Sequence, residues 1–308
     1  MAAPPQEHTH GRLRAIAAVV QAIVLAAALA YIAWNLVGQW QSLRRHAWTL
    51  QAAPTILSLP LAAGWFLCRA WLWQRILACF GYPLAYRRAL RTFMLAELSR
   101  YLPGTVWHVF GRSYYSGRQG VPTAVTLTGM VLEMALVALT AVAFFPLRAL
   151  GQRHFFEGLA IWGAAAALLL VVIAHPRVTV PLVNTALRRL NKPTIPAQLR
   201  HRDIFAMVAL CALMWLSLCA GFVILAAGVA PAAARVPIAV AASFPTAWFA
   251  GLIAIASPGG LGVREGVLAA LLAGLLPGGM GVVVALVSRL WLTGVELLCA
   301  AVAWRIHE

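Results

Sequence analysis

Charged side chains inside apolar segments are the residues of this chain whose types and spacing could do chemistry. Half of its eight acidic residues lie in apolar context, together with five arginines: Glu97, Glu133, Glu265, Glu296, Arg69, Arg100, Arg112, Arg264 and Arg289. A charge at the centre of a membrane helix costs about 2.5 to 3.5 kcal/mol, so such side chains need partners of opposite charge or water. They are therefore expected to form buried ion pairs, to carry protons or to bind a charged substrate.

Two breaks rich in glycine and proline flank some of these charges. The first is SRYLPGTVWHVFGR at 99–112, and the second is SPGGLGVRE at 257–265. Proline removes a backbone donor and glycine relaxes the backbone, so each break interrupts a helix. The helix that follows presents free N–H groups at its positive end, and an arginine beside it adds a planar fork that matches phosphate. The breaks therefore predict an anion site.

The predicted functional residues fall into two groups. The predicted substrate-binding residues are Arg100, Pro103, Gly104, Trp107, His108, Arg112, Pro258, Gly259, Gly260, Gly262, Arg264 and Glu265. The residues predicted to form ion pairs or carry protons are Glu97, Glu133, Arg289 and Glu296. No catalytic residue, metal ligand or cofactor is predicted, and the second break is no nucleotide-binding loop because no Gly-Lys-Ser/Thr follows it.

Spacing along the chain indicates which charges can share a helix face. Pairs three, four or seven residues apart lie on one face, which holds for Glu97 with Arg100, His108 with Arg112, and Arg289 with Glu296. Arg264 and Glu265 point about 100° apart and are expected to serve different partners.

Single positions allow two further expectations. Gly129 lies one turn before Glu133 and would let another helix approach closely. Arg69 and Arg75 are expected to lie near a membrane interface and to extend their charges into water.

Composition excludes a water-soluble domain. The chain has 308 residues, of which 62% are hydrophobic and 10% are charged. Basic residues outnumber acidic ones by 24 to 8, but they lie mostly between apolar spans, as in cytoplasmic membrane loops. A nucleic-acid partner is therefore not expected.

The elements that must position these residues are transmembrane helices. We predict a single all-α, polytopic domain over 1–308, with a basic cytoplasmic loop at 175–203. Six spans are expected at about 14–38, 54–80, 121–146, 159–174, 204–229 and 278–304. The arms of the first break are too short to cross about 30 Å, so 92–117 is predicted to be a re-entrant helical hairpin. For 238–276, a re-entrant hairpin and two crossings both fit.

Charge bias and the order of elements predict the topology. Basic residues concentrate in loops that face the cytoplasm if both termini lie there. Two broken elements of opposite orientation, each followed by a long span, are typical of an inverted-repeat transporter.

The two break sequences resemble those of the family named for the transmembrane domain of lysylphosphatidylglycerol synthase, and the resemblance covers about residues 14 to 304. That family includes the flippase half of the bacterial multiple-peptide-resistance proteins. The resemblance implies a lipid flippase of the bacterial cytoplasmic membrane that moves an aminoacylated phosphatidylglycerol or a polyprenyl-linked sugar. Two-domain members carry a soluble aminoacyl-transferase domain, whereas this chain is expected to be a free-standing member without it.

Three functions are compatible with these residues. The first is a flippase whose partner is a membrane lipid with a phosphate headgroup. The second is an intramembrane glycosyl or headgroup transferase that uses Glu265 or Glu97 as a base, although the loops hold few carboxylates for such chemistry. The third is a non-transporting scaffold for a separately encoded lipid-modifying enzyme.

Overall fold

The computed structural model describes residues 50–99, 107–151, 168, 175–189, 200–253, 263–277 and 279–306. Within these ranges, the regular elements are helices and none is a strand. The prediction of an all-α, polytopic membrane protein is confirmed. The predicted spans at 14–38 and 159–174 lie outside the described residues.

The described helices are labelled in chain order. They are α1 (Ala52–Cys79), α2 (Tyr86–Leu98), α3 (Trp107–Gly117), α4 (Thr123–Val142), α5 (Pro176–Arg189), α6 (His201–Val229), α7 (Pro237–Ile253), α8 (Val263–Ala273) and α9 (Met280–Trp304). Short 3₁₀ helices follow α4 at Pro146–Gly151 and α6 at Pro231–Arg235.

Four of the described helical stretches are long and apolar enough to cross a membrane: Ala52–Cys79, Thr123–Arg148, His201–Val229 and Met280–Trp304. They correspond to four of the predicted spans. The helices α2, α3, α7 and α8, which lie between them in the chain, are shorter.

The centre of the molecule is the packing of α1 against α6, and small residues bring the two helices together. A Cβ atom on Gly64 would overlap the Ser217 side chain, whose hydroxyl donates a 2.7 Å hydrogen bond to the Leu61 carbonyl. The Trp65 and Trp215 rings pack nearby with their centroids 4.5 Å apart. Close approach of this kind is how membrane helices gain van der Waals contact without a hydrophobic driving force between them.

Helix α4 packs on the same centre through a second glycine. A Cβ on Gly129 would lie 3.0 Å from the Trp73 ring, so the glycine admits the indole of α1. One turn further along α4 lies Glu133, and this close approach brings it to the side chains of α1. Trp215 of α6 contacts the C-terminal part of α4, where its Nε1 donates a 3.2 Å hydrogen bond to Thr140 Oγ1.

Helices α2 and α3 form an antiparallel pair, which we call the first helical pair. Gly111 of α3 lies against Ala96 and Ser99 at one end of the pair. Towards the other end, Thr92 of α2 and Tyr115 of α3 line one cavity. With 13 and 11 residues, the arms are about 20 and 17 Å long, each short of a 30 Å bilayer core. Residues 100–106, which include Arg100, Pro103 and Gly104, lie outside the described residues.

Helices α7 and α8 form a second helical pair, which precedes the long helix α9 as the first pair precedes α4. The arms have 17 and 11 residues. At Gly281, the start of α9 touches α8, where an added Cβ would lie 2.9 Å from the Ala269 carbonyl oxygen. Pro258, Gly259, Gly260 and Gly262 lie outside the described residues. The re-entrant course of the pairs and the inverted repeat therefore stay predictions.

The basic stretch 175–203 is partly helical. It contains all of α5 and the first residues of α6. The Arg200 backbone N–H donates a 3.3 Å hydrogen bond to the Asp203 carboxylate, which satisfies one donor at the start of α6. Its cytoplasmic location stays a prediction.

Candidate functional site

Four buried charges meet where the two arms of the first helical pair contact α1 and α4. Arg69 of α1, Glu97 of α2, Arg112 of α3 and Glu133 of α4 are each less than a tenth exposed. We call these four residues the buried charge quartet. It contains two cations and two anions, so a balanced set of charges lies where the first helical pair meets two membrane-spanning helices.

The quartet is a closed ring in which each carboxylate accepts hydrogen bonds from both arginines. Arg112 donates from Nη2 to Glu97 at 2.7 Å and from Nη1 to the Oε2 atom of Glu133. Arg69 donates to Glu133 Oε1 from Nη2 at 2.7 Å and from Nε at 3.1 Å, and its Nη1 lies 3.5 Å from Glu97 Oε2. Charge-assisted bonds of this geometry offset the large cost of removing four ions from water.

Aromatic rings hold the two guanidinium groups. The Phe93 centroid lies 5.0 Å from Arg69 Cζ and 4.4 Å from Arg112 Cζ, so one ring of α2 contacts both cations. Trp73 of α1 covers Arg112 at 4.8 Å, and Trp65 lies 5.8 Å from Arg69. Cation–π attraction strengthens when the cation is desolvated, so the rings fix the orientation of the arginines as well as excluding water.

The quartet includes one residue that the sequence interpretation placed elsewhere. Arg69 was expected near an interface with its charge in water, but only 7% of it is exposed and it pairs with two glutamates. A signal for this was present in the sequence. Arg69 lies about ten residues before the end of α1 at Cys79, or about 15 Å, which is half the bilayer core and too far to reach water. Arg75 is exposed and lies over Trp71, as expected for a residue near an interface.

Partners within the quartet come from other helices and not from neighbouring turns. Glu97 bonds to Arg112 and Arg69, which lie 15 and 28 residues away, while Arg100, predicted to share its helix face, lies outside the described residues. Arg112 likewise donates to carboxylates of α2 and α4, and not along α3 to His108. Trp107 and His108 form the start of α3, and the Trp107 ring packs on Phe110 at 6.2 Å.

A second group of charges joins the second helical pair to α9. Glu265 of α8 is 8% exposed and accepts a 2.9 Å hydrogen bond from Nη1 of Arg289 on α9. The guanidinium of the preceding residue, Arg264, lies 4.7 Å from the centroid of Phe244 on α7. Arg289 therefore contacts a residue 24 positions earlier, in addition to sharing a helix with the fully buried Glu296.

The two helical pairs place their charges in a similar way. In each pair, a phenylalanine ring of the first arm packs against the guanidinium of an arginine of the second arm. Phe93 packs against Arg112, and Phe244 packs against Arg264. In each pair, a charge of the second arm also binds an opposite charge on the following long helix, although the signs are exchanged. A joint phosphate site formed by Arg112 and Arg264 stays a prediction, because the break residues beside both lie outside the described part of the chain.

The quartet is chemically suited to exchanging ionic partners. In the part of the chain that the structure describes, no acceptor lies within hydrogen-bond distance of the buried Nε atom of Arg112. The other donors of this guanidinium face carboxylates, so an incoming anion would compete with Glu97 and Glu133 for the same cation. Among the described residues there is no cluster of histidine, cysteine and carboxylate side chains suited to a metal ion.

Comparison with known proteins agrees with this arrangement of membrane helices. No curated protein and no solved structure is significantly similar to the chain. A family model described as the lysylphosphatidylglycerol synthase TM region matches residues 15–298, which is most of the sequence and includes both breaks and every charge of the quartet. The chain therefore belongs to the family of the lysylphosphatidylglycerol synthase transmembrane region.

Proposed function

We propose that this protein is a flippase that moves an anionic, phosphate-bearing lipid across the bacterial cytoplasmic membrane, with both of its termini in the cytoplasm. Membership of the family supports a lipid-related role in the membrane. The observation that carries the proposal is the buried charge quartet, because it places an arginine with a phosphate-matching fork between a short helical pair and two membrane-spanning helices. The lipid is an aminoacyl-phosphatidylglycerol or a polyprenyl-phosphate-linked sugar.

The proposed transport step is an exchange of partners at Arg112. The end of the first helical pair where Gly111 lies against Ser99 is called its tip. A lipid phosphate that approaches this tip takes the place of one carboxylate on the guanidinium. Because an unpaired carboxylate at this depth is costly, the displaced Glu97 or Glu133 takes up a proton and becomes neutral. Release of the phosphate reverses both events, so lipid movement is coupled to proton movement without a nucleotide.

Arg264 is proposed to supply the second contact to the phosphate. It is the second residue of α8 and follows the glycines of the second break, where free N–H groups of the helix start are expected. The Phe244 ring packs against its guanidinium and orients the group. Arg112 and Arg264 would then hold one headgroup from two helical pairs.

Transport is favoured over transferase chemistry by the state of the glutamates. Glu97 and Glu265, which would have to act as bases in a transferase, each accept hydrogen bonds from arginine. In each case the arginine occupies the carboxylate oxygen that would otherwise be available to take a proton from a substrate. The chain is thus proposed to be a transporter without a cofactor, served by a separately encoded enzyme that modifies the lipid.

The test measures movement of a fluorescent phosphatidylglycerol across vesicles that contain the purified protein. Arg264→Ala is expected to fold and to abolish transport, whereas the control Arg75→Ala, which removes an exposed arginine over Trp71, should transport like the wild type. Wild-type transport by Arg264→Ala would refute the site. No transport by the wild type with any anionic lipid offered would favour the scaffold.

A further inference from the structure

Three side chains near Arg112 share a property with its Nε atom: each has a buried polar atom without a hydrogen-bond partner. These atoms are Trp73 Nε1, Ser116 Oγ and Thr126 Oγ1, and the part of the chain that is described offers none of them a partner. All three residues are fully buried, and the Trp73 ring covers the Arg112 guanidinium. Because most buried polar atoms in proteins are hydrogen-bonded, four such atoms in one region indicate a bound partner.

The two hydroxyl groups differ from other buried hydroxyls of this molecule. Ser58, Thr140 and Ser288 each donate to a carbonyl three or four residues earlier in their own helix. Such a bond is open to any serine or threonine inside a helix. Among the described residues, Ser116 and Thr126 form neither this bond nor another one, so their hydroxyls are left for a different partner.

Both hydroxyls lie on the same side of the buried charge quartet. Helices α3 and α4 are joined by residues 118–122 and therefore run in opposite directions. Ser116 lies one turn, or about 6 Å, from Arg112 in the direction of this turn. Thr126 lies two turns, or about 10 Å, from Glu133 in the same direction. The hydroxyls thus lie between the quartet and a turn that is mostly exposed.

The surroundings suit a small neutral molecule that both donates and accepts hydrogen bonds. The Nε atom of Arg112 and Nε1 of Trp73 only donate, whereas the two hydroxyls do both. The quartet holds equal numbers of cations and anions, so it has no excess charge to attract an ion. The cavity between Thr92 and Tyr115, at the same end of the first helical pair, has room for about one water molecule.

We infer that water binds between the buried charge quartet and the turn at 118–122, held by Trp73, Arg112, Ser116 and Thr126, and that this water conducts protons to Glu133. Buried water usually makes about three hydrogen bonds to polar groups that otherwise have no partner. A proton that enters at the exposed turn is passed on because each water molecule receives one proton and gives up another. The last proton binds the Glu133 carboxylate, so no atom is consumed.

The proton role rests on the proposed function, in which a displaced carboxylate takes up a proton. Arginine does not release a proton in proteins, so neither Arg112 nor Arg69 can supply it. Water is therefore the group that brings the proton from the surface. The other charged or titratable groups around Glu133 in the described ranges are Arg69 on α1, Glu97 on α2, Arg112 on α3 and Cys211 on α6.

X-ray hydroxyl-radical footprinting of the full chain in detergent, resolved to single residues by mass spectrometry, tests the water site. Radiolysis converts bound water into hydroxyl radicals that oxidise the side chains beside it. Trp73 and Trp215 are both fully buried, but Nε1 of Trp215 has a protein partner in Thr140. Trp73 should be oxidised several-fold faster than Trp215, and Thr126→Val should reduce that difference. Equal protection of the two tryptophans would overturn the inference.

The proton role is tested by lipid transport in vesicles with two matched serine variants. Ser116→Ala removes a hydroxyl of the water site, and the control Ser58→Ala removes one that bonds to its own helix. Ser116→Ala should slow transport several-fold, whereas the control should match the wild type. If Ser116→Ala loses helicity by circular dichroism, Thr126→Val replaces it.

The two measurements separate the possible failures. Equal transport by Ser116→Ala and the wild type would remove the proton role of the water. If the wild type moves no lipid, the proposed function fails together with that role, while the oxidation of Trp73 still decides whether water is bound.

Discussion

Arg112 donates a 2.7 Å hydrogen bond to Glu97 and thereby joins the two arms of the first helical pair by a buried ion pair. The bond lies next to the place where Gly111 meets Ser99, close to the tip of the pair. Since Arg112 also binds Glu133 of α4, the same guanidinium connects the pair to a membrane-spanning helix. A movement of the first helical pair relative to α4 would therefore change the ion pairs of the quartet, because Arg112 takes part in both contacts.

Arg112→Gln is expected to destabilise the protein strongly. The change leaves two carboxylates with a single arginine, and breaking a buried ion pair from one side costs about 3 to 5 kcal/mol. Thermal unfolding in detergent, followed by circular dichroism, should show a clear decrease in the midpoint. The double variant Glu97→Gln/Arg112→Gln should lose less than the sum of the two single changes, because it removes both members of one pair. Additive losses would contradict the coupling.

The parts of this fold that could be predicted from the sequence are those set by local composition. Long apolar runs fix helices such as α6. The position of Gly129 before Glu133 indicated a close helix contact, and the Trp73 ring occupies that place.

The residue that each buried charge binds could not be predicted in the same way. Arg69 and Glu133 are 64 residues apart, and nothing in local spacing relates them. Their contact depends on how α4 packs against α1, which is decided by the shapes of many side chains together. Spacing rules found charges that need partners and those that can share a helix face, but they contain no information about residues of other helices.

Gly111→Ala is expected to disturb the first helical pair. The added methyl group would overlap Ser99 Oγ and lie 3.2 Å from its Cβ, and the hydroxyl would have to give up its 2.8 Å bond to the Ala96 carbonyl. Overpacking of this kind costs about 1 to 3 kcal/mol. The unfolding midpoint should fall, and a second change, Ser99→Ala, should restore part of it by removing the overlapping oxygen.

Gly117→Ala is the matched control for that variant. It adds the same methyl group to the same helix at a position where, among the described residues, no atom beyond its own stretch of helix lies within 4 Å. Its midpoint should equal or exceed that of the wild type, since alanine favours a helix more than glycine does. Equal midpoints for Gly111→Ala and Gly117→Ala would show that the Gly111 contact does not matter.

Phe244→Leu is expected to slow lipid transport several-fold while leaving the fold intact. Leucine keeps most of the apolar volume but removes the aromatic face that lies 4.7 Å from the Arg264 guanidinium. Phe222→Leu is the control, because Phe222 packs on Phe244 at 4.8 Å from the side of α6. Transport assays in vesicles compare the two at equal protein content. A similar reduction in both variants would indicate a packing defect and would count against positioning of Arg264.

Transport is expected to become faster as the pH falls, provided that the exchange at Arg112 limits the rate. The displaced carboxylate must take up a proton, so a higher proton concentration favours the state in which Arg112 is released to the phosphate. Glu97→Gln and Glu133→Gln each hold one of the two positions neutral at every pH, and the variant that replaces the displaced carboxylate should flatten the pH profile because the proton is no longer needed there. Glu265→Gln, which alters the other charged group, should keep the slope of the wild type. Flippase rates measured between about pH 5 and 8, with the same pH on both sides of the vesicle, distinguish these cases. A wild-type rate that does not change with pH would remove proton uptake from the proposed exchange, while leaving Arg112 and Arg264 as the groups that hold the phosphate.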